Sequence, residues 1–209
     1  MMVDIDILLA SGAKYKKVRK GEYIFHEGGT CSYYYQLVEG RISWINFDDE
    51  GKVFIQSIIE PGECFGELPL FDDEPYAANS VAEMDSVIIQ LPKLSFLQLL
   101  KNDYTIQAAF NKLLAQRVRY KFFILKEIAC CRPEHRILTL LTYLSKKNNK
   151  DNKDHYIVNY TRQQIAGMTG LRVETVIRVI RHLHDKGKLM IDKGKIIMPS
   201  YDCNHKVFA

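Results

Sequence analysis

The chain has 209 residues, of which 47% are hydrophobic and 26% are charged, and its formal net charge is +4. This composition is typical of a globular protein of about two domains and excludes intrinsic disorder and collagen-like repeats. The longest apolar runs, such as residues 122–125, are far shorter than the roughly 18 residues that a membrane span needs. The acidic N-terminal sequence MMVDIDILLASGAKYKK is unlike a signal peptide, so we expect a cytoplasmic protein without a membrane partner.

Charge is distributed unevenly along the sequence. Residues 1–131 carry 14 basic and 18 acidic side chains, whereas residues 132–209 carry 15 basic and 7 acidic ones. The basic C-terminal part indicates contact with a polyanion, although a solvated basic surface without a partner would have the same charge. The five cysteines are scattered and form no CxxC motif, which disfavours a disulfide framework or a zinc site and fits a reducing compartment.

From about Lys14 to Gln90, short runs of β-forming residues alternate with glycine-containing turns. Turns at intervals of about ten residues predict an antiparallel barrel or sandwich, not strands that alternate with helices. The predicted strands are Tyr23–Phe25, Tyr33–Val38, Ile42–Phe47, Val53–Ile59 and Ser86–Leu91.

Residues 94–131 contain neither Gly nor Pro. A short helix is predicted at Leu97–Leu100 and a long one at about Tyr104–Ala129, where apolar residues recur every three or four positions. About 26 residues at 1.5 Å each give a rod of about 39 Å, longer than a small β-domain needs as a cover. We therefore expect this helix to pair with its copy in a second chain, with packing across its own barrel as the alternative. The predicted dimer contacts are Leu113, Leu114, Val118, Phe122 and Leu125.

The sequence Arg132-Pro133-Glu134 interrupts the long helix and predicts a hinge. Beyond it we predict a helix at His135–Leu144, an exposed polar loop at Ser145–His155 and a short strand at Tyr156–Asn159.

The stretch that begins at Thr161, TRQQIAGMTGLRVETVIRVIRHLHDKGKLMIDKGKIIM, is typical of a winged helix-turn-helix. Thr161 and Gln164 predict a capping box at the start of the first helix, and Gly170 suits the turn that ends it. An αα-hairpin with strands and no ligand is the alternative. The predicted elements are helices at Arg162–Met168 and from about Arg172 to Asp185, and strands at Leu189–Asp192 and Ile196–Met198.

Glu174 and Arg178 lie four residues apart on the second helix and so project from the same face. In a DNA major groove an arginine can bind O6 and N7 of guanine, and a glutamate can accept a hydrogen bond from N4 of cytosine. A surface salt bridge between the two side chains is the alternative. We predict that Val173, Glu174 and Arg178 contact bases. The residues predicted to position the protein on phosphates are Thr161, Arg162, Arg172, Thr175, Arg181, Lys193 and Lys195.

The sequence contains no P-loop, GxSxG, HExxH or dinucleotide-binding glycine motif. His182 and His184 lie two apart on a helix and point in different directions, while His26 and His135 are isolated in the sequence. We therefore expect no catalysis, no bound metal and no cofactor.

The strings FHEGGTCSYYYQLVEGRISWINFDDEGK, IIEPGECFGELPLFDDEPY and TRQQIAGMTGLRVETVIRVI together resemble the Crp/Fnr family of bacterial transcription regulators, from about Lys20 to Met198. The resemblance implies an effector-sensing β-roll, a homodimer formed by the long helix, a winged helix that binds double-stranded DNA, and RNA polymerase as a further partner. Val173-Glu174-Thr175 followed by Arg178 is similar to the Fnr-type pattern V-E-T-x-x-R, although Ile177 replaces a serine common in that branch. The scattered cysteines do not match the Fnr-type iron–sulfur cluster.

Residues 65–70, FGELPL, resemble the first half of the cassette with which family members bind cyclic AMP, where Glu67 would accept from the ribose 2′-hydroxyl. Tyr76-Ala77-Ala78 replaces the Arg-Ser/Thr-Ala of the second half, and a tyrosine cannot replace the charged fork that holds the phosphate. Lys121 and Phe122 replace the Thr-Ser pair that binds adenine, although Lys121 offers a cation to a different anion. We expect an apolar, self-filled pocket. The predicted pocket residues are Gly66, Glu67, Leu68, Tyr76, Ala77, Lys121 and Phe122.

The predicted fold class is α+β, with an antiparallel β-roll (jelly roll) at residues 1–92, a helical segment with the dimer helix at 93–131 and a winged helix at 132–209. The predicted function is sequence-specific transcription regulation by a homodimer on a palindromic DNA site, without control by cyclic AMP and with an unidentified small-molecule effector or none. The alternative is a signalling module that binds a cyclic nucleotide or another small anion and whose C-terminal domain contacts protein.

Overall fold

The computed structural model describes residues 2–148 and 155–199. The chain divides into two compact units, residues 1–118 and 119–209. In the described part, the helices are α1 (Ile5–Ala10), α2 (Pro69–Asp72), α3 (Lys93–Asn102), α4 (Tyr104–Cys130), α5 (Pro133–Asn148), α6 (Arg162–Thr169) and α7 (Val173–Asp185). The strands there are β1 (Lys14–Val18), β2 (Tyr23–Phe25), β3 (Tyr33–Glu39), β4 (Ile42–Phe47), β5 (Val53–Ile59), β6 (Cys64–Phe65), β7 (Asn79–Ala82), β8 (Ser86–Pro92), β9 (His155–Val158), β10 (Met190–Asp192) and β11 (Lys195–Pro199).

The N-terminal unit contains two four-stranded sheets with strand orders β1-β8-β3-β6 and β2-β7-β4-β5. Each pair of neighbouring strands is antiparallel, and side chains from both sheets, such as Leu37, Ile42 and Ile88, form the core between them. The predicted antiparallel β-roll and the α+β class are confirmed. β2, β4 and β5 have the bounds that the sequence predicts.

Strand β3 is buried on both faces. Tyr35 and Leu37 point into the core between the sheets, whereas Tyr34 belongs to a second cluster with Phe96 of α3 and Phe110 of α4. The ring of Tyr34 stacks on that of Phe96 with centroids 4.5 Å apart, and Phe110 meets Phe96 edge to face at 5.1 Å. Because successive side chains of a strand point to opposite faces, this single strand contributes to both parts of the core.

The C-terminal unit is a winged helix. Its strands form a three-stranded antiparallel sheet of order β10-β11-β9, and α5 packs against both α6 and α7. The capping box of α6 is confirmed, since Gln164 N donates to Thr161 Oγ1 at 3.1 Å and Thr161 N donates to Gln164 Oε1 at 2.7 Å. α6 ends at Gly170, whose φ of +68° is the left-handed conformation expected there.

Several predicted bounds are wrong. The short helix predicted at Leu97–Leu100 is α3, which begins directly after Pro92 and has ten residues. α5 extends four residues beyond Leu144 to Asn148, where lysines in its last turn interact favourably with the helix dipole. The start of the predicted polar loop is therefore helical, and residues 149–154 of that loop lie outside the described residues.

Helices α1 and α2 are additional to the predicted elements. α1 begins at the N-cap Asp4, whose carboxylate accepts a hydrogen bond from Asp6 N at 2.9 Å. Both helices are too short to show helical periodicity in the sequence, which is why the pattern does not predict them. Within residues 2–148 and 155–199, no helix has both the length and the hydropathy that crossing a membrane requires.

Two glycines with positive φ allow a test of packing beside the β3–β4 connection. A Cβ added at Gly40 would lie 2.7 Å from Ser86 Cα, whereas one added at Gly51 would meet nothing within 4 Å. Both alanine substitutions are strained in the backbone, but only Gly40→Ala also forces two chain segments apart. We expect Gly40→Ala to lower the free energy of unfolding by about 1–3 kcal/mol more than Gly51→Ala. Urea denaturation followed by fluorescence of Trp44 measures this difference, and equal losses would contradict the packing at Gly40.

Candidate DNA-binding surface and effector pocket

Helix α7 buries one face and exposes the other. Its buried residues are Val176, Val179, Ile180 and Leu183. Glu174 and Arg178 are exposed on the remaining surface, and Val173 is half-buried at the start of the helix. Among the ion pairs of the described residues, none joins Glu174 to Arg178. The surface salt bridge considered as the alternative for this pair is therefore not formed, and both side chains are available to a ligand.

Polar contacts from α5 orient α7 and the turn before it. Glu134 of α5 accepts a hydrogen bond from Lys186 Nζ at 3.1 Å and lies 3.5 Å from His182 Nε2. The hydrogen bond from Lys186 lowers the pKa of the Glu134 carboxyl. Arg136 Nη1 donates to Thr169 O at 3.1 Å, at the end of α6. These contacts hold both α6 and α7, the two helices of the helix-turn-helix, against α5.

The wing, which is the hairpin of β10 and β11, approaches the start of α6. Arg162 Nη2 donates to Gly194 O at 3.1 Å, and burial lowers the pKa of the Arg162 guanidinium. A cleft of about 550 Å³ lies beside this contact. Its lining includes Asn159, Thr161, Arg162, Ile177, Gly194 and Lys195. Three of the residues predicted to contact phosphate, Thr161, Arg162 and Lys195, are thus brought together.

The other predicted phosphate contacts lie on the same winged helix. Arg172 is the N-cap residue of α7 and is exposed, as are Arg181 on α7 and Lys193 at the tip of the wing. Thr175 is half-buried. The C-terminal unit therefore has exposed cations at the N-terminus of α7, along this helix and on the wing.

In the N-terminal unit, the carboxylate of Glu67 is fully buried and forms an ion pair with Arg117 of α4. Arg117 also donates from Nη2 to Cys64 O at 2.6 Å, and its guanidinium lies 5.1 Å from the centre of the Trp44 ring. Burial alone lowers the pKa of Arg117, but the negative charge of Glu67 raises it above its ordinary value. The other carboxylate oxygen, Oε2, is buried and accepts no hydrogen bond from the described residues.

Arg117 is a functional candidate that the sequence does not reveal. It occupies one of several basic positions of an amphipathic helix, where an arginine is ordinarily solvated. Only the packing of the first half of α4 on the β-roll brings it to Glu67, which lies 50 residues earlier in the chain.

Tyr76 is buried where the resemblance implies an arginine. Its ring stacks on Phe25 with centroids 3.8 Å apart, and its backbone N and O pair with the loop that contains Gly29. Burial and a hydrogen bond with Cys31 raise the pKa of the Tyr76 hydroxyl. A Cβ at Gly66 would lie 2.6 Å from the Phe25 ring, so this position must be glycine for the stacked pair to fit.

The remaining predicted pocket residues have different environments. Leu68 and Ala77 are exposed, and Ala77 O accepts a hydrogen bond from Asn46 Nδ2 at 2.9 Å. Lys121 and Phe122 belong to the C-terminal unit and both are exposed. Their contribution to the pocket stays a prediction.

Helix α4 also presents an apolar stripe to solvent. Val118, Phe122 and Leu125 are 54%, 69% and 63% exposed, which is unusual for large apolar side chains at regular helical spacing. Leu114 is half-buried, and Leu113 packs against the core of the N-terminal unit. Three of the five predicted dimer contacts are therefore exposed in the single chain.

Comparison with known families gives two matches. Residues 15–103 match the cyclic nucleotide-binding domain, and residues 135–202 match the Crp-like helix-turn-helix domain. The cAMP-activated global transcriptional regulator Vfr of Pseudomonas aeruginosa is 25% identical over 199 residues, covering 93% of this chain and 92% of Vfr. The cAMP-activated global transcriptional regulator CRP of Salmonella typhimurium is 27% identical over 177 residues, covering 84% of each chain.

Solved structures have the same fold. FixK2 from Bradyrhizobium japonicum matches with a TM-score of 0.77 and 21% identity over 90% of this chain and 93% of its own. The c-di-GMP responsive global regulator CLP of Xanthomonas campestris matches with a TM-score of 0.76 and 19% identity over 94% and 98%. At these identities the structures support the fold alone. The two domain matches in this order, together with the two regulators matched along most of their length, show that the chain belongs to the Crp/Fnr family of transcription regulators.

Proposed function

We propose that this regulator binds a palindromic DNA site as a homodimer, with α7 in the major groove, and that cyclic AMP does not control it. The observation that carries the proposal is the exposed pair Glu174 and Arg178 on the solvent face of α7, surrounded by exposed cations. No catalytic role is proposed, because the family is one of transcription regulators.

Base and phosphate contacts have separate roles in this proposal. Arg178 would bind O6 and N7 of guanine and Glu174 would accept from cytosine N4, while Val173 would touch a thymine methyl group. The basic residues of α6, α7 and the wing would neutralise phosphates and fix the register of the protein on the duplex. Arg162 would have two roles in this proposal. It donates a hydrogen bond to Gly194 O of the wing, and it would also contact a DNA phosphate.

Dimerisation would give the site its symmetry. The exposed stripe of Val118, Phe122 and Leu125 would be covered by the same stripe of a second chain. Two winged helices related by a twofold axis would then address half-sites about 34 Å apart, one turn of B-DNA. RNA polymerase is the further partner that this class of regulator implies.

The N-terminal unit supports the expectation against cyclic AMP. Tyr76 is neutral, is buried against Phe25 and replaces the cation that would bind the phosphate. Two matched relatives are cAMP-activated by name, and the proposal therefore separates this chain from them in its effector. A different effector is compatible with Glu67, whose Oε2 is buried and accepts no hydrogen bond from the described residues.

A signalling module whose C-terminal domain contacts protein is the alternative that the experiment must exclude. Shift assays on genomic fragments at several salt concentrations distinguish the two candidates. We expect selective retention of some fragments and an affinity that falls steeply with salt, as phosphate contacts require. Failure to bind any fragment at low salt would contradict the DNA-binding proposal.

Alanine substitutions separate base contacts from phosphate contacts on the site recovered in that assay. We expect Glu174→Ala and Arg178→Ala each to reduce discrimination against mismatched half-sites by about 1–3 kcal/mol, because each removes a base-edge contact. Lys193→Ala is the control, and it should weaken all sequences equally and reduce the salt slope by about 1. Competition binding measures both effects. Unchanged site preference in the Glu174 and Arg178 variants would show that these residues do not contact bases.

The oligomeric state tests the role of the α4 stripe. We expect the protein to be a dimer by light scattering at micromolar concentration, and Phe122→Asp to raise the dissociation constant by more than about tenfold, because it buries a charge in an apolar interface. Gln116→Asp introduces the same charge at an exposed position on another face of the helix and should leave the dimer intact. A monomeric parent protein, or equal effects of the two changes, would contradict the assignment.

Calorimetry tests the expectation about the effector. Titration of the purified protein with cyclic AMP and with cyclic GMP should give no binding in the micromolar range, because no arginine is present at position 76 to hold the phosphate. A micromolar dissociation constant for either nucleotide would show that the pocket accommodates the cyclic phosphate by other means.

A further inference from the structure

Three potential metal ligands converge where α4 meets α5. Glu127 is in the last turn of α4, Cys131 follows the end of that helix, and His135 is in the first turn of α5. One donor atom from each side chain lies within 4.8 Å of the other two. Glu127 Oε2 and His135 Nδ1 are 2.8 Å apart. All three residues lie in the C-terminal unit.

The environment of Glu127 calls for a positive partner. Its side chain is almost completely buried, and a buried carboxylate is costly unless a charge or a metal compensates it. His135 is largely exposed, and its Nδ1 lies 2.8 Å from Glu127 Oε2. A divalent cation bound between these groups would place a positive charge next to the buried carboxylate.

The backbone around the cluster is held by specific contacts. Cys131 N donates to Glu127 O at 3.2 Å, which keeps the two side chains one helical turn apart on the same side. Arg136 Nη2 donates to Ile128 O at 2.8 Å and to Cys131 O at 3.3 Å. Thr139 Oγ1 lies 3.3 Å from His135 Nδ1. These hydrogen bonds hold the backbone that connects the three proposed ligands.

We propose that Glu127, Cys131 and His135 bind one divalent transition-metal ion, with Zn²⁺ as the ion that best fits a carboxylate, a thiolate and an imidazole. Three protein ligands leave the fourth tetrahedral position to water. The bound ion replaces the hydrogen bond between Glu127 and His135 and ties the end of α4 to the start of α5. This site does not depend on DNA binding, and it differs from the expectation that the chain binds no metal.

Cobalt provides a spectroscopic test on the full-length protein, freed of metal with a chelator. Titration with Co²⁺ should produce a sulfur-to-cobalt charge-transfer band that saturates at one ion per chain and is displaced by Zn²⁺. Cys131→Ser should abolish the band. Glu127→Gln and His135→Ala should each weaken Zn²⁺ binding by more than about tenfold, since losing even an outer partner of a zinc ligand costs about 10–100-fold.

Matched variants make the result specific. Cys130→Ser removes the other thiol of the dipeptide, and His182→Ala removes another exposed histidine beside a glutamate; both should retain the band and the affinity. Circular dichroism checks that Glu127→Gln is folded. His135→Ala changes an exposed side chain and should therefore leave the protein core intact. The proposal is overturned if no stoichiometric band forms, if the band survives Cys131→Ser, or if folded Glu127→Gln and His135→Ala bind Zn²⁺ as the parent does.

Discussion

The functional surface depends on the burial of one face of α7. Val176, Ile180 and Leu183 are excluded from water by α5, α6 and the wing, and at about 25 cal/mol per Å² of apolar surface this burial fixes the rotation of the helix about its axis. A rotation of the helix that exposed these side chains would lose the free energy of burial of all three at once. Glu174 and Arg178 are therefore exposed because the apolar face of the helix must pack in the core. Their orientation is fixed before any ligand binds.

A different constraint governs the N-terminal unit, where a carboxylate is retained in the interior. Glu67 is compensated by Arg117, and the guanidinium is itself covered by the Trp44 ring and held by Cys64 O. Such a pair gains little net stability, because both charges lose their hydration. The second carboxylate oxygen of Glu67, Oε2, is buried and accepts no hydrogen bond from the described residues.

The sequence predicted those features that local chemistry determines. The capping box at Thr161 and Gln164 depends on four consecutive residues, and the strand β4 is bounded by turn residues at each end, so both followed from the sequence. Arg117 and Glu67 could not be paired, because their contact depends on how α4 packs on the β-roll. The cluster of Glu127, Cys131 and His135 was missed for a similar reason. A helix break separates its members, so no single helical period connects all three.

Helix α4 meets three different environments along its length. Phe110 near its start is buried in the core of the N-terminal unit, Arg117 serves the buried carboxylate, and Glu127 near its end faces α5. A helix that served dimerisation alone would repeat apolar residues at a constant 3.5-residue spacing. In α4 each segment has residues that suit its own surroundings, so apolar and charged residues occur on several faces of the helix. Phe122, like Val118 and Leu125 of the same stripe, is an apolar side chain that stays largely exposed in the single chain, at 69%. Its exposure is a cost that a second chain can remove.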